Sequence, residues 1–225
     1  MTIWARLTEI LHALGDGVGR FLGGLSRNST APEKSIGFTI GMIALGAKMA
    51  RADGAVTADE VAAFKQVFLV PEKDQATVDR VFNLAKQDIA GFETYAAQVA
   101  KLFSRKASIL ENVLDGLFHI AKSDGVVHED ELTYLRNVAE IFGFSEDDFS
   151  RICSRHVQME EDPYVVLGLK PGCSKKEIKD KYRQLARELH PDKQIAAGVP
   201  KEMVKLATDR LARINGAYAK LAGVK

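Results

Sequence analysis

One loop and its flanking helical pattern occur twice in this chain, and a duplication restricts the fold more than any compositional feature. ARADGAVTADEVAAFKQVF at 50–68 matches AKSDGVVHEDELTYLRNVA at 121–139, an offset of 71 residues. Asp53 aligns with Asp124, Gly54 with Gly125, Val56 with Val127 and Glu60 with Glu131. The next apolar positions also agree: Val61, Phe64 and Val67 against Leu132, Leu135 and Val138, a spacing that puts each trio on one helix face. Helices are predicted before the loops, over 36–52 and 107–122, and after them. Helical runs near 72–89 and 92–103 bridge the copies. Two such units bury their apolar faces on each other, so a pseudo-two-fold bundle is expected. No long run alternates β-branched with polar residues, and Leu, Ala, Lys, Glu and Arg dominate. The fold class is all-α.

The loops raise a question of chemistry. Asp, Gly, an aliphatic residue and Glu stand at the fifth, sixth, eighth and twelfth places of an EF-hand calcium loop. The first and third places hold Met49 and Arg51 in one copy, Ile120 and Lys122 in the other. None of these offers a hard-cation ligand. The preferred reading is structural: Gly54 and Gly125 allow the turn, and TADE at 57–60 is a capping box opening the next helix. In the second copy His128 stands in the place of Thr57. The alternative is one metal site shared between loops through Asp53, Glu60, Asp124 and Glu131. On ADGAVTADE and SDGVVHEDE, the region 34–150 resembles the TerB-like (tellurite-resistance) domain. That resemblance implies an all-helical bundle, a link to metal-ion or membrane stress, and no catalytic residues.

Charge divides the chain. Net charge is +1, but residues 160–225 carry 14 Lys and Arg against 9 Asp and Glu, whereas residues 1–159 carry 17 against 21. A basic tail on an acidic body should seek an acidic partner. Two cysteines, Cys153 and Cys173, cannot form a disulfide framework, which favours a reducing, cytoplasmic setting. Cys153-x-x-His156 lacks a second ligand pair and reads as incidental rather than as zinc. His119, within an apolar helical run, reads as a packed core residue.

At the N-terminus, Trp4, Leu7, Leu11, Leu14, Val18, Phe21 and Leu25 form a heptad-like stripe interrupted by five glycines. Packing on its own domain is one reading, and homo-oligomerisation through this helix is another. Contact with a membrane surface, peripheral at the inner membrane, is less favoured because the polar positions are not rich in basic residues. Arg6, Glu9, His12, Asp16 and Arg20 break any transmembrane or secretory-signal pattern. SRNSTAPE then reads as a linker.

In the tail, SKKEIKDKYRQLAREL at 174–189 is an amphipathic helix. Ile178, Tyr182, Leu185 and Leu189 form its apolar stripe. Lys175, Lys179, Arg183 and Arg187 recur at i+4 steps as a basic ridge, a docking surface for an acidic partner, with nucleic acid as one candidate class. Like charges at that spacing cost an isolated helix about 0.2–0.5 kcal/mol per pair. A second helix, about 200–221, would place Met203 or Val204, Leu206, Leu211, Ile214, Tyr218 and Leu221 against the first in an antiparallel hairpin. HPDKQIAAG joins the two, and Pro191 should stop the first helix near His190, leaving a turn. DPYVVLGL at 162–169 reads as a short helix capped by Asp162, with Pro163 at its first position.

DPYVVLGL, KKEIKDKYRQLARELHPDK and RINGAYAKL together resemble a complete J-domain of the DnaJ (Hsp40) family, over about 162–223. The resemblance implies docking on an Hsp70 chaperone and stimulation of its ATP hydrolysis. His190, Pro191 and Asp192 correspond to the required tripeptide, and Lys179, Tyr182, Arg183 and Lys193 fall at docking positions. Leu211 stands where many members have Phe, and Gly216 where a charged residue is commoner. A TerB-like region followed by a J-domain is similar to the DjlA-type co-chaperones, although typical members begin with a membrane-spanning helix. The expected layout is an N-terminal helix over 1–27, a TerB-like domain over 28–155 and a J-domain over 160–225. The expected protein is a co-chaperone and not an enzyme, with no cofactor, no metal and no nucleic-acid partner. Its body would give targeting or client choice. The alternative is a metal-ion-responsive stress-binding protein acting through the acidic loops.

Overall fold

The computed structural model describes residues 3, 4, 6, 7, 9, 30–49, 58–67, 69–87, 91–103, 107–157 and 162–223. Among these, every regular element is helical. In chain order they are α1 (Ala31–Met49), α2 (Ala58–Val67), α3 (Gln75–Gln87), α4 (Phe92–Leu102), α5 (Ala107–Ala121), α6 (Glu129–Phe142), α7 (Glu146–Val157), α8 (Pro163–Leu167), α9 (Lys175–Glu188), α10 (Pro191–Ala196) and α11 (Lys205–Ala222). Short 3₁₀ turns lie at Glu72–Asp74, Lys122–Asp124 and Lys201–Met203.

The body is built around α5. ASILENVLDGLFHIA is apolar around most of its circumference, and such a helix is stable only inside a bundle. It is buried from Ile109 to Phe118 and packs on α1, α2, α6, α7 and α11. Around it, α1 lies against α3 and α4, and α4 against α6. The Tyr134 hydroxyl on α6 donates to the Leu45 carbonyl on α1 at 2.8 Å, so its buried polar tip is satisfied. α2 and α6 begin at Ala58 and Glu129, again 71 residues apart. Gly125, at φ 97°, ends the turn after α5, a conformation that costs a side-chain-bearing residue energy. Ile3, Trp4 and Leu7 are buried in the body's core, so the described start of the N-terminal stripe packs on its own domain. Leu11, Leu14, Val18, Phe21 and Leu25, with the nearby glycines, lie outside the described residues. So do Asp53, Gly54, Val56 and Thr57.

The tail forms a second, smaller core from Val166, Leu167, Ile178, Leu185, Leu189, Ala207, Ile214 and Ala217. Tyr182 stacks on Tyr218 with ring centroids 4.1 Å apart. Asp162 caps α8 by accepting from the Tyr164 amide at 2.8 Å. Ser174 and Glu177 close a capping box on α9: the Glu177 carboxylate accepts from the Ser174 amide at 2.7 Å.

The structure corrects several expectations. SRNSTAPE is not wholly a linker, because α1 already begins at Ala31. The hairpin's second helix begins at Lys205 rather than near 200. Its approach, with Val199, Met203 and Val204, is buried in the body's core with Leu206 packed alongside, so Met203, Val204 and Leu206 do not face α9. The reason is competition: the larger apolar surface of α1 and α5 captures this segment. The HPD gap is also more ordered than a plain turn, since Pro191 opens α10. His119 is exposed rather than packed. Among the described residues, no helix is long and apolar enough to cross a membrane.

Candidate functional site

The HPD segment is a helix N-cap. His190 has extended backbone angles (φ −58°, ψ 130°), Pro191 takes the first helical position, where no N–H is required, and α10 runs on to Ala196. The His190 Nδ1 accepts from the Asp192 amide at 3.2 Å, and the His190 carbonyl accepts from the Lys193 and Gln194 amides at 2.9 and 3.1 Å. Nδ1 is therefore an acceptor, which in the neutral ring leaves the proton on Nε2. Both side chains face solvent: His190 is 58% and Asp192 89% exposed. Lys193 is exposed and Pro191 partly so.

The basic ridge runs along α9 and ends at Arg187, just before this cap. Lys175, Lys179, Arg183 and Arg187 are all exposed on α9, while Tyr182 is half-buried by its stack on Tyr218. Arg187 Nε donates to the Arg183 carbonyl at 3.1 Å, and no ion pair among the described residues neutralises the four cations. Glu177, one turn before Lys181, is engaged in the helix cap, where the Ser174 hydrogen bonds hold its carboxyl below the ordinary range. All nine residues read from the sequence thus lie on α9, the cap and the start of α10.

The acidic loops are less complete. Glu131 is buried, and its carboxylate accepts from the His128 amide at 2.8 Å, the returning half of a capping box. Asp53 and the side chains of Glu60 and Asp124 lie outside what is described. No group of His, Cys, Asp and Glu that could hold a metal occurs among the described residues.

Sequence reasoning missed a second polar cluster, where tail meets body. Glu111 and Asp115 on α5 face Arg151 and Arg155 on α7 and Arg210 on α11. Glu111 Oε1 accepts from Arg155 at 2.8 Å and from Arg151 at 2.9 Å, and Oε2 lies 2.5 Å from Arg210 Nη2. Asp115 Oδ1 lies 3.2 Å from Arg155 and 2.8 Å from His156 Nε2. The His156 ring stacks on Phe118, with centroids 4.6 Å apart. Burial alone would raise the Glu111 carboxyl, but Arg210, Arg155 and Arg151 outweigh it and hold it below its ordinary value of 4.5. Burial also opposes ionisation of Asp115, where Arg155, the His156 hydrogen bond and Arg210 win by more. Two buried carboxylates against two buried guanidiniums gain little net stability, because desolvation offsets attraction. What such a network determines is orientation. The signal was present in the spacing: Glu111 and Asp115 sit one turn apart on a largely apolar helix, and Arg151 and Arg155 are likewise one turn apart on α7.

A cap-presented His-Pro-Asp beside a basic helix, closed by a second helix and seated on a helical body, defines a J-domain protein. Residues 39–154 match the family model for tellurite resistance protein TerB, and residues 162–223 match that for the DnaJ domain. The co-chaperone protein DjlA of Photobacterium profundum is 26% identical over 235 residues, covering 91% of this chain and 82% of that protein. The DjlA of Coxiella burnetii is 28% identical over 198 residues, covering 79% and 73%. A segment of 65 residues is 43% identical to DjlA of Mannheimia succiniciproducens, covering 29% of this chain and 23% of the relative. No solved structure matches. The chain belongs to the TerB family and, with its C-terminal DnaJ domain, is a J-domain protein of the DjlA type.

Proposed function

We propose that this protein is an Hsp70 co-chaperone that docks through His190, Pro191 and Asp192 and stimulates the partner's ATP hydrolysis. One observation carries the reading: the Asp192 side chain is 89% exposed next to a helix N-cap, directly after a helix that carries four exposed cations without acidic partners among the described residues. The ridge of Lys175, Lys179, Arg183 and Arg187, with Lys193, supplies long-range attraction to an acidic surface. Asp192 then offers a carboxylate to a partner Arg or Lys, a charge-assisted contact that can bias the partner's conformation. Pro191 reduces the entropy lost on docking. Tyr182, stiffened by Tyr218, supports the ridge from its apolar side. The hydrolytic chemistry belongs to the partner, and this chain contributes binding energy alone.

In this reading residues 28–155 form a body that provides targeting or client choice, and residues 160–225 form the docking unit. The metal-responsive alternative loses support from Glu131, whose carboxylate is occupied by a cap. Steady-state ATP hydrolysis by a cognate Hsp70 tests the proposal. Wild type should stimulate it, and His190→Gln and Asp192→Asn should each remove most of the stimulation. Stimulation that survives both substitutions would overturn docking through the tripeptide, and nucleic-acid affinity that falls steeply with salt and is insensitive to Asp192→Asn would favour a nucleic-acid partner for the ridge.

A further inference from the structure

The buried cluster between body and tail reaches the HPD cap. Arg210, held by Glu111, also donates from Nη1 to Asn112 Oδ1 at 3.2 Å. The Asn112 amide on α5 donates in turn to Gln194 Oε1 on α10 at 3.4 Å. Gln194 Nε2 donates to the Glu188 carbonyl at the end of α9 at 2.8 Å, and the Gln194 backbone amide donates to the His190 carbonyl. Asn112 and Gln194 are 6% and 2% exposed, so breaking their contact leaves buried polar groups unsatisfied. The far side of α10 is clamped too: Ser35 donates to the Gly198 carbonyl at 2.8 Å, and Val199 and Met203 sit in the body's core.

We infer that the helical body positions the HPD turn, with Asn112, Gln194 and Arg210 as positioning residues that act on the docking site without touching the partner. The body is then a structural part of the docking site rather than a separate passenger. This inference rests on the reading that the HPD turn is the docking site. A body that loosens α10 lowers the fraction of competent turns, and apparent affinity for the partner falls by that fraction while the saturated effect stays the same.

Two variants of the full chain test it. Asn112→Leu removes both contacts at similar size. Asn112→Asp keeps an acceptor for Arg210 and loses the donor to Gln194, and it serves if the first fails to fold. Amide hydrogen exchange without any partner is the primary readout. Exchange over residues 190–197 should quicken by about tenfold while the centres of α9 and α11 keep wild-type protection. In the ATPase assay the concentration for half-maximal stimulation should rise about three- to tenfold, with the maximum unchanged. Wild-type exchange over 190–197 in both variants would overturn the inference. A fall in maximal stimulation with unchanged half-saturation would also overturn it. If wild type fails to stimulate Hsp70 at all, the docking reading falls, while the exchange result still decides whether the body orders the turn.

Discussion

His190 combines two tasks in one ring. Its Nδ1 satisfies the Asp192 amide, an orphan donor at the start of α10, and its remaining edge stays exposed for a partner. These tasks can be separated. Asn is among the best N-cap residues, so His190→Asn should preserve α10 and change stability by less than about 1 kcal/mol. If recognition uses the imidazole, that variant should still lose Hsp70 stimulation; full stimulation by His190→Asn would show that the cap alone is what matters. The tripeptide was legible in the sequence because its meaning is local: Pro191 sets the backbone, and its neighbours follow. Asn112 and Arg210 were not legible as partners, because they meet across 98 positions and nothing local to either predicts the other.

At the scale of elements, the helices read from apolar spacing lie close to where they were expected. One departure came where two surfaces compete for one segment, at Val199–Leu206, which the body's core captured from the hairpin; others were the earlier start of α1 at Ala31 and the short helix α10 in place of a turn. Close packing also imposes demands that a helical pattern does not reveal. Gly41 on α1 faces Val99 on α4, and a Cβ there would collide with the Val99 Cγ2 methyl. Gly41→Ala should gain roughly 1 kcal/mol in helix propensity and lose about 1–3 kcal/mol to overpacking. A lowered urea midpoint is therefore expected, and a raised midpoint would mean that the α1–α4 contact has slack.

For the whole molecule, the buried carboxylates couple stability to pH. Glu111 and Asp115 are held below their ordinary values of 4.5 and 3.8, so the unfolded chain takes up protons there before the folded one does. Their stabilisation is complete at neutral pH, above both ordinary values, and is lost as pH falls through the window beneath them. Denaturation free energy should stay nearly level from pH 7 to about 5 and decline below it. Glu111→Gln should be less stable at neutral pH by about 3–5 kcal/mol, since it leaves buried guanidiniums undercompensated, and should show a shallower acid decline. Equal acid slopes in variant and wild type would show that Glu111 does not carry the effect. Because this network joins α5, α7 and α11, the acid transition should loosen the tail from the body.

What the sequence determined by itself was governed by short-range rules: an all-helical chain, a helix cap at Asp162, a basic ridge at i+4 spacing, and a proline that stops a helix near His190. Those features depend on neighbours within a turn or two, so periodicity and capping chemistry suffice to place them. Only the tertiary structure decided that the tail is welded to the body. The weld consists of buried ion pairs and amide contacts between residues 82 to 99 positions apart, together with one apolar segment that two cores could each have claimed. Its geometry depends on which surfaces exclude water from each other, and that is settled only when the whole chain has packed.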